Sequence, residues 1–246
     1  MLAVLLLSVP ARLLVLDTMV PGQRLRVEDA PPYFRGLVDG GEPLVVVGRQ
    51  GLALHARGAE VVVAAEPARA DGVVLATTGR VAEIVDGGDD EGSRWRGRAG
   101  AVRWLGPLAD ADDALSPEDA YQLAKQRDHG ALGDAVEHAP ERLARASDAL
   151  GGLVDEWLSL VRASNRERAP GQLDALLSEL GPMPAPANAR AVWCSALINP
   201  LPALGVALEV RPAVLTARST ARRLAMAEHG LRDSIARLRR GGPLGL

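Results

Sequence analysis

The apolar positions of this chain change their period once. Up to about Leu108 they come in short runs rich in Val and Leu: Leu13 to Leu16, Arg24 to Val27, Leu44 to Val47, Val61 to Ala64, Val73 to Val85 and Trp95 to Leu105. Turns bearing Gly and Asp, such as "DGGE" and "DGGDDEGS", separate them. Short β-branched runs bounded by turn residues predict strands. One helix is predicted among them, about Pro32 to Val38, because a proline in the first helical turn lacks only an N–H that would have no intrahelical partner. Several strands at this spacing predict a barrel or a sandwich.

Beyond that point the period becomes helical. In "GQLDALLSEL", Leu173, Leu176, Leu177 and Leu180 fall at i, i+3, i+4 and i+7, one face of a helix that the next Gly-Pro pair ends. In "GLVDEWLSLV", Leu153, Val154, Trp157, Leu158 and Val161 repeat the pattern, and Leu224, Leu231, Ile235 and Leu238 define a third stripe. Gly230 inside that stripe costs up to ~1 kcal/mol relative to Ala. Such faces must bury against one another or against the strands, which predicts a helical bundle from about Leu115 to Arg240. "GPMPAPANA" is too rich in proline to be helical and links two helices, and "INPLPALG" is a second break.

Composition narrows the core. At 246 residues the chain is one large domain or two small ones, and folding at this length buries roughly 70–75% of the unfolded surface without help from disulfides or metals. Apolar residues make up 48% but aromatics only 3%, so the core must be built from Leu, Val and Ala, each contributing little. The net charge is −3 and the basic side is arginine, with Lys125 the one lysine, a balance that argues against a whole-protein footprint for nucleic acid. Cys194 has no partner for an internal disulfide, which favours a reducing, intracellular compartment, and its apolar helical setting reads as a small buried hydrophobe. Leu2 to Val9 has the apolar character of a secretory signal, but no basic residue precedes it and no small-x-small cleavage site follows, so secretion is not expected. Pro10, Arg12 and Asp17 interrupt that run well short of the ~20 apolar residues of a membrane span.

Known chemistries fail on spacing. The acidic run "DADDALSPED" lacks the glycine and terminal glutamate of a calcium loop and reads as a helix start with Ser116 as N-cap. His55, His129, His138 and His229 have no metal-ligand spacing. There is no phosphate loop, nucleophile elbow or dinucleotide fingerprint, so no cofactor is expected. "YQLAK" carries the Tyr-x-x-x-Lys spacing of short-chain dehydrogenases at Tyr121 and Lys125, but without a Gly-rich loop it means nothing.

"RWRGRAGAVRW" is the strand that leaves two readings open. Alternation puts Arg94, Arg96 and Arg98 on one face and Trp95 on the other. In the ordinary reading the arginines are solvated beside Asp89, Asp90 and Glu91, and Trp95 lies in the core. In the other, Trp95 stacks on a base or a peptide beside a basic stripe. The phase slips before Arg103 and Trp104, and Gly100 is the expected bulge.

"PGQRLRVEDAPPYFRGLV", Pro21 to Val38, resembles the start of the Lon protease N-terminal (substrate-binding) domain family, in which a Pro-Gly turn leads to "RLPL" and then to an "EPRYRALV"-like helix. The matching residues are Pro21, Gly22, Arg24, Leu25, Pro32, Arg35, Leu37 and Val38, with Phe34 for the family's Tyr; Pro31 and Tyr33 depart from the pattern. "GRVAEIVDGG", "GAVRWLGP", "ARAVWCSALINPLP" and the Arg223-Leu224 pair resemble later family elements in the same order. The resemblance implies an α+β chain, a PUA-like β-barrel over residues 1–108 followed by an α-helical bundle over residues 109–246. The opening stretch then reads as scaffold: Pro21 and Gly22 turn the chain, Leu25 and Val27 enter the barrel, and Phe34, Leu37 and Val38 seat the short helix.

The resemblance also implies a stand-alone member without the ATPase or the Ser-Lys peptidase, for which no phosphate loop or suitably placed lysine exists. The expected function is non-enzymatic recognition of unfolded or specific polypeptides, as an adaptor or substrate-binding protein linked to quality control, with an ATP-dependent protease acting in trans as a partner. Tyr33, Trp95 and Trp104 are the candidate contacts, because aromatics dominate interface energetics. The alternatives are an RNA-binding PUA-like protein, which would use Arg94, Arg96 and Arg98, and an enzyme with an unrecognised site. No membrane association is expected.

Overall fold

The computed structural model describes residues 8–28, 30–38, 44–51, 53–67, 72–88, 97–108, 139–164, 167, 170–199, 209–217 and 219–240. The chain divides into two compact units, residues 1–108 and 109–246.

In the first unit five strands close a ring. β1 (Val9–Val15), β3 (Leu44–Val47), β6 (Arg57–Ala65), β7 (Val73–Asp86) and β8 (Arg98–Pro107) are hydrogen-bonded in the order β7-β6-β3-β1-β8, and β8 returns to β7. β1 and β3 run parallel and the other pairs antiparallel. β2 (Arg24–Val27) pairs with β7 outside the ring, and β4 (Arg49–Gln50) with β5 (Ala53–Leu54) forms a small separate hairpin. An apolar cluster lies on each side of the strands. Leu14, Val46, Val61, Leu75 and Phe34 belong to one, and Leu13, Val45, Val47, Ala82 and Val102 to the other. That is why β3 reads Leu-Val-Val-Val with no polar residue: both of its faces are covered.

The opening stretch acts as scaffold. Pro21 and Gly22 occupy the centre of a turn closed by Gln23 N–H donating to the Val20 carbonyl at 3.2 Å, and Gly22 has the positive φ of 89° that this turn requires. The Thr77 hydroxyl of β7 pins the turn, accepting from Gly22 N–H at 2.9 Å and donating to the Gln23 carbonyl at 3.1 Å. α1 (Pro32–Leu37) buries Phe34 completely, with Leu37 and Val38 packed beside it. Val27 enters the core as expected. Leu25 does not: β2 lies at the end of the sheet, and Leu25 remains 36% exposed there.

The bulges also differ from expectation. Gly100 pairs regularly with Ala11, and a Cβ on it would meet the Asp86 carbonyl oxygen at 2.6 Å, so glycine serves close approach there. The register of β7 against β8 slips instead at Leu105 and at Val85, each an extra residue facing no partner. The strands are longer than the valine runs, β1 starting at Val9 and β6 at Arg57, because pairing continues past the apolar residues.

Among the described residues of the second unit the helices are α2 (Ala139–Ser164), α3 (Gln172–Leu180), α4 (Ala187–Ile198), α5 (Arg211–Thr216) and α6 (Thr220–Arg239). Every residue of α4 from Ala191 to Ile198 is buried, as befits a helix apolar all round. α2 contributes Leu150, Val154, Trp157 and Val161 to this core, α3 contributes Leu173, and α6 contributes Leu224, Leu231, Ile235 and Leu238. Trp157, fully buried, donates its indole N–H to the Ser234 hydroxyl at 2.7 Å. Gly230 has a packing reason that outweighs its helix cost: a Cβ there would lie 2.8 Å from Ile198 Cδ1. Arg223 is buried and donates to Asn188 Oδ1 at 2.8 Å and to the Ala217 carbonyl at 2.9 Å, tying α6 to the start of α4 and to the end of α5. The short helix α5 carries no apolar stripe long enough to show in the sequence. Ser116, Tyr121, Lys125, His129 and His138, and most of "INPLPALG", lie outside the described residues.

Candidate functional site

The site candidates divide by position. Arg94, Trp95 and Arg96 lie outside the described residues, and so does the side chain of Tyr33, whose backbone belongs to α1. Arg98 opens β8 and pairs with Leu13 of β1. Trp104 lies further along β8, opposite Ala82 of β7, partly buried against the barrel cluster.

The surroundings of Trp104 follow from an irregularity in β7. Ala59 of β6 faces Val81 and Val61 faces Thr77, so Thr78, Gly79 and Arg80 stand opposite Glu60 alone. Gly79, at φ 93°, allows the chain to make this excursion. Glu60 gathers the excess residues: its carboxylate accepts from the Thr78 hydroxyl at 2.5 Å and from the Arg80 guanidinium at 2.9 Å. Held in this way, Arg80 covers Trp104, its guanidinium carbon 4.2 Å from the ring centroid. Arg103, next along β8, is paired with Glu83 of β7. Arg80 and Arg103 are thus each paired with a carboxylate of a neighbouring strand.

Apolar exposure marks the barrel more strongly than aromatic residues do. Among the described residues the large hydrophobic side chains that stay exposed are Leu25 at 36%, Leu105 at 40%, Val62 at 52% and Val85 at 56%, the last three on ring strands and Leu25 on β2 beside them. Sequence reasoning missed them because a run such as "EVVVAA" reads as wholly buried. Leu105 and Val85 are the two bulged residues, and only the pairing register reveals a bulge.

No group of three or more His, Cys, Asp or Glu among the described residues is placed to hold a metal ion. Cys194 is buried in α4, and burial pushes its thiol up to about 12, opposed only by the nearby Arg190. A thiol held protonated inside a core is a packing group, not a nucleophile. No described helix is long and apolar enough to cross a membrane.

The structure is similar to that of a Lon N-terminal domain protein from Xanthomonas campestris, at 18% sequence identity and a TM-score of 0.46, over 88% of this chain and 95% of that one. It is also similar to the N-terminal domain of the Mycobacterium avium complex Lon protease, at 17% identity and a TM-score of 0.26, over 54% of this chain and 75% of that one. No family model and no curated protein matches the sequence. The closed five-stranded barrel followed by helices, read from its own strand order, has the α+β architecture that the opening stretch implied.

Proposed function

We propose that the protein is a non-enzymatic polypeptide-binding protein, a substrate-recognition or adaptor module of the Lon N-terminal domain type. The observation that carries this reading is the placement of the exposed large hydrophobic side chains, Leu25, Val62, Val85 and Leu105, on the strands of the first unit's sheet. Exposed apolar side chains on a folded scaffold suit ligands that themselves expose apolar residues, and unfolded polypeptides do so by definition. The resemblance of Pro21 to Val38 to the opening of the substrate-binding family supports the same reading. A protein of this kind delivers its ligand elsewhere, and an ATP-dependent protease acting in trans is the partner class that fits.

The test is binding of a dye-labelled, permanently unfolded polypeptide to the purified chain, followed by anisotropy across a salt titration. The reading expects saturable binding that changes little with salt. Affinity confined to nucleic acid and falling steeply with salt would favour an RNA-binding protein instead.

A further inference from the structure

The outward face of the ring strands β6 and β7, continued by β2 alongside β7, has a composition that a closed barrel does not need. On β6, Ala59 and Val61 are buried, whereas Val62 and Ala64 point the other way and are exposed. On β7, Val73 and Leu75 are buried, whereas Val74 and Ala76 are partly open. On β2, Val27 is buried and the exposed Arg24 and Arg26 share the outward face. The register joins these into two rows, Arg24–Ala76–Val62 and Arg26–Val74–Ala64. Each row runs from an arginine on β2 through a small apolar residue on β7 to another on β6. A solvated face of an antiparallel sheet ordinarily carries polar residues.

The charges on the strip are unequal in what they leave available. Arg26 lies 3.9 Å from the Glu66 carboxylate. Arg24, at the end of the row that contains Val62, has no ion-pair partner among the described residues. The strip therefore presents an apolar track with a cation at its margin. An extended chain repeats its same-face side chains every ~6.8 Å, which is also the separation between residues i and i+2 of a strand and so between the two rows.

We infer that the β6–β7–β2 face binds an extended polypeptide segment whose alternate residues are small and apolar, with an acidic residue that meets Arg24. This rests on the reading of the protein as a polypeptide binder and assigns it a surface and a sequence preference. Apolar side chains of the segment cover Val62, Ala64, Val74 and Ala76, and the carboxylate accepts the charge-assisted hydrogen bonds that the Arg24 guanidinium donates.

The experiment uses the full chain and two dye-labelled peptides that alternate Val and Ser, one with Glu and the other with Lys at a single position of the valine phase, and a permanently unfolded polypeptide as a third ligand. The expected result is tighter binding of the Glu peptide, a loss of at least about tenfold in Val62→Asp, and a reversed peptide preference in Arg24→Glu. Arg24→Glu sits on an exposed strand and decides the matter by itself if Val62→Asp does not fold by circular dichroism. If both variants bind all three ligands as the unaltered protein does, the surface is elsewhere and the functional reading stands. If the unaltered protein binds none of them, the functional reading falls and this inference with it.

Discussion

The Arg80 guanidinium lies over Trp104 and donates to the Glu60 carboxylate at 2.9 Å. The ring is therefore covered on one face by a charged side chain that a ligand stacking there would have to displace. Arg80→Ala is expected to increase acrylamide quenching of the tryptophan fluorescence. Stability should change by less than about 1 kcal/mol, since the pair is near the surface. Unchanged quenching would mean that Trp104 is shielded by something other than Arg80.

Ser234 is the hydrogen-bond acceptor for the fully buried Trp157 indole. Ser234→Ala leaves that N–H unpaired in an apolar core, which costs ~1–3 kcal/mol. Urea unfolding should show the lower midpoint with an unchanged slope. A variant as stable as the unaltered protein would contradict the importance of this bond to the bundle.

At Gly230 two effects oppose each other. Alanine is favoured in a helix by up to ~1 kcal/mol. Against that, the new Cβ would lie 2.8 Å from Ile198 Cδ1 and 3.0 Å from Val210 Cγ1, both on buried residues, and overpacking costs ~1–3 kcal/mol. Gly230→Ala should therefore lower the melting temperature. A rise would show that α4 and α6 separate without loss.

Cys194 links stability to alkaline pH. Its folded thiol is pushed up to about 12, above the ordinary value of 9.0, so the folded state keeps a proton that the unfolded chain releases. Stability from this group is complete below the unfolded pKa and falls as pH rises from about 9 towards about 12, by up to ~1.4 kcal/mol per pH unit. Urea midpoints measured near pH 8 and near pH 10 should converge in Cys194→Ala. An equal alkaline loss in the variant would place its origin in another group.

The helical unit was largely legible because its information is local. Leu173, Leu176, Leu177 and Leu180 declare a face by spacing alone, and so do the α2 and α6 stripes. The helix α5 was not legible, since six residues cannot display a period. In the barrel the valine runs marked most strands, but pairing is not local. Whether Val62 points in or out depends on its register with Ala76, and the bulges at Val85 and Leu105 depend on β7 meeting β8. Gly100 illustrates the limit: its role is close approach to Leu13 and to the Asp86 carbonyl oxygen, which no reading along one strand could disclose. Of the candidate contacts, Trp104 was correctly seen as lying on the barrel's last strand, whereas the arginine that covers it comes from β7 through the excursion at Gly79.

The measurement closest to the central claim is equilibrium binding of a reduced, alkylated, permanently unfolded polypeptide to the purified, nuclease-treated chain, with the same polypeptide in its folded form as the control. The account predicts saturable binding of the unfolded form, little binding of the folded one, and an affinity that survives moderate salt. Equal affinity for both forms, or none for either, would contradict it.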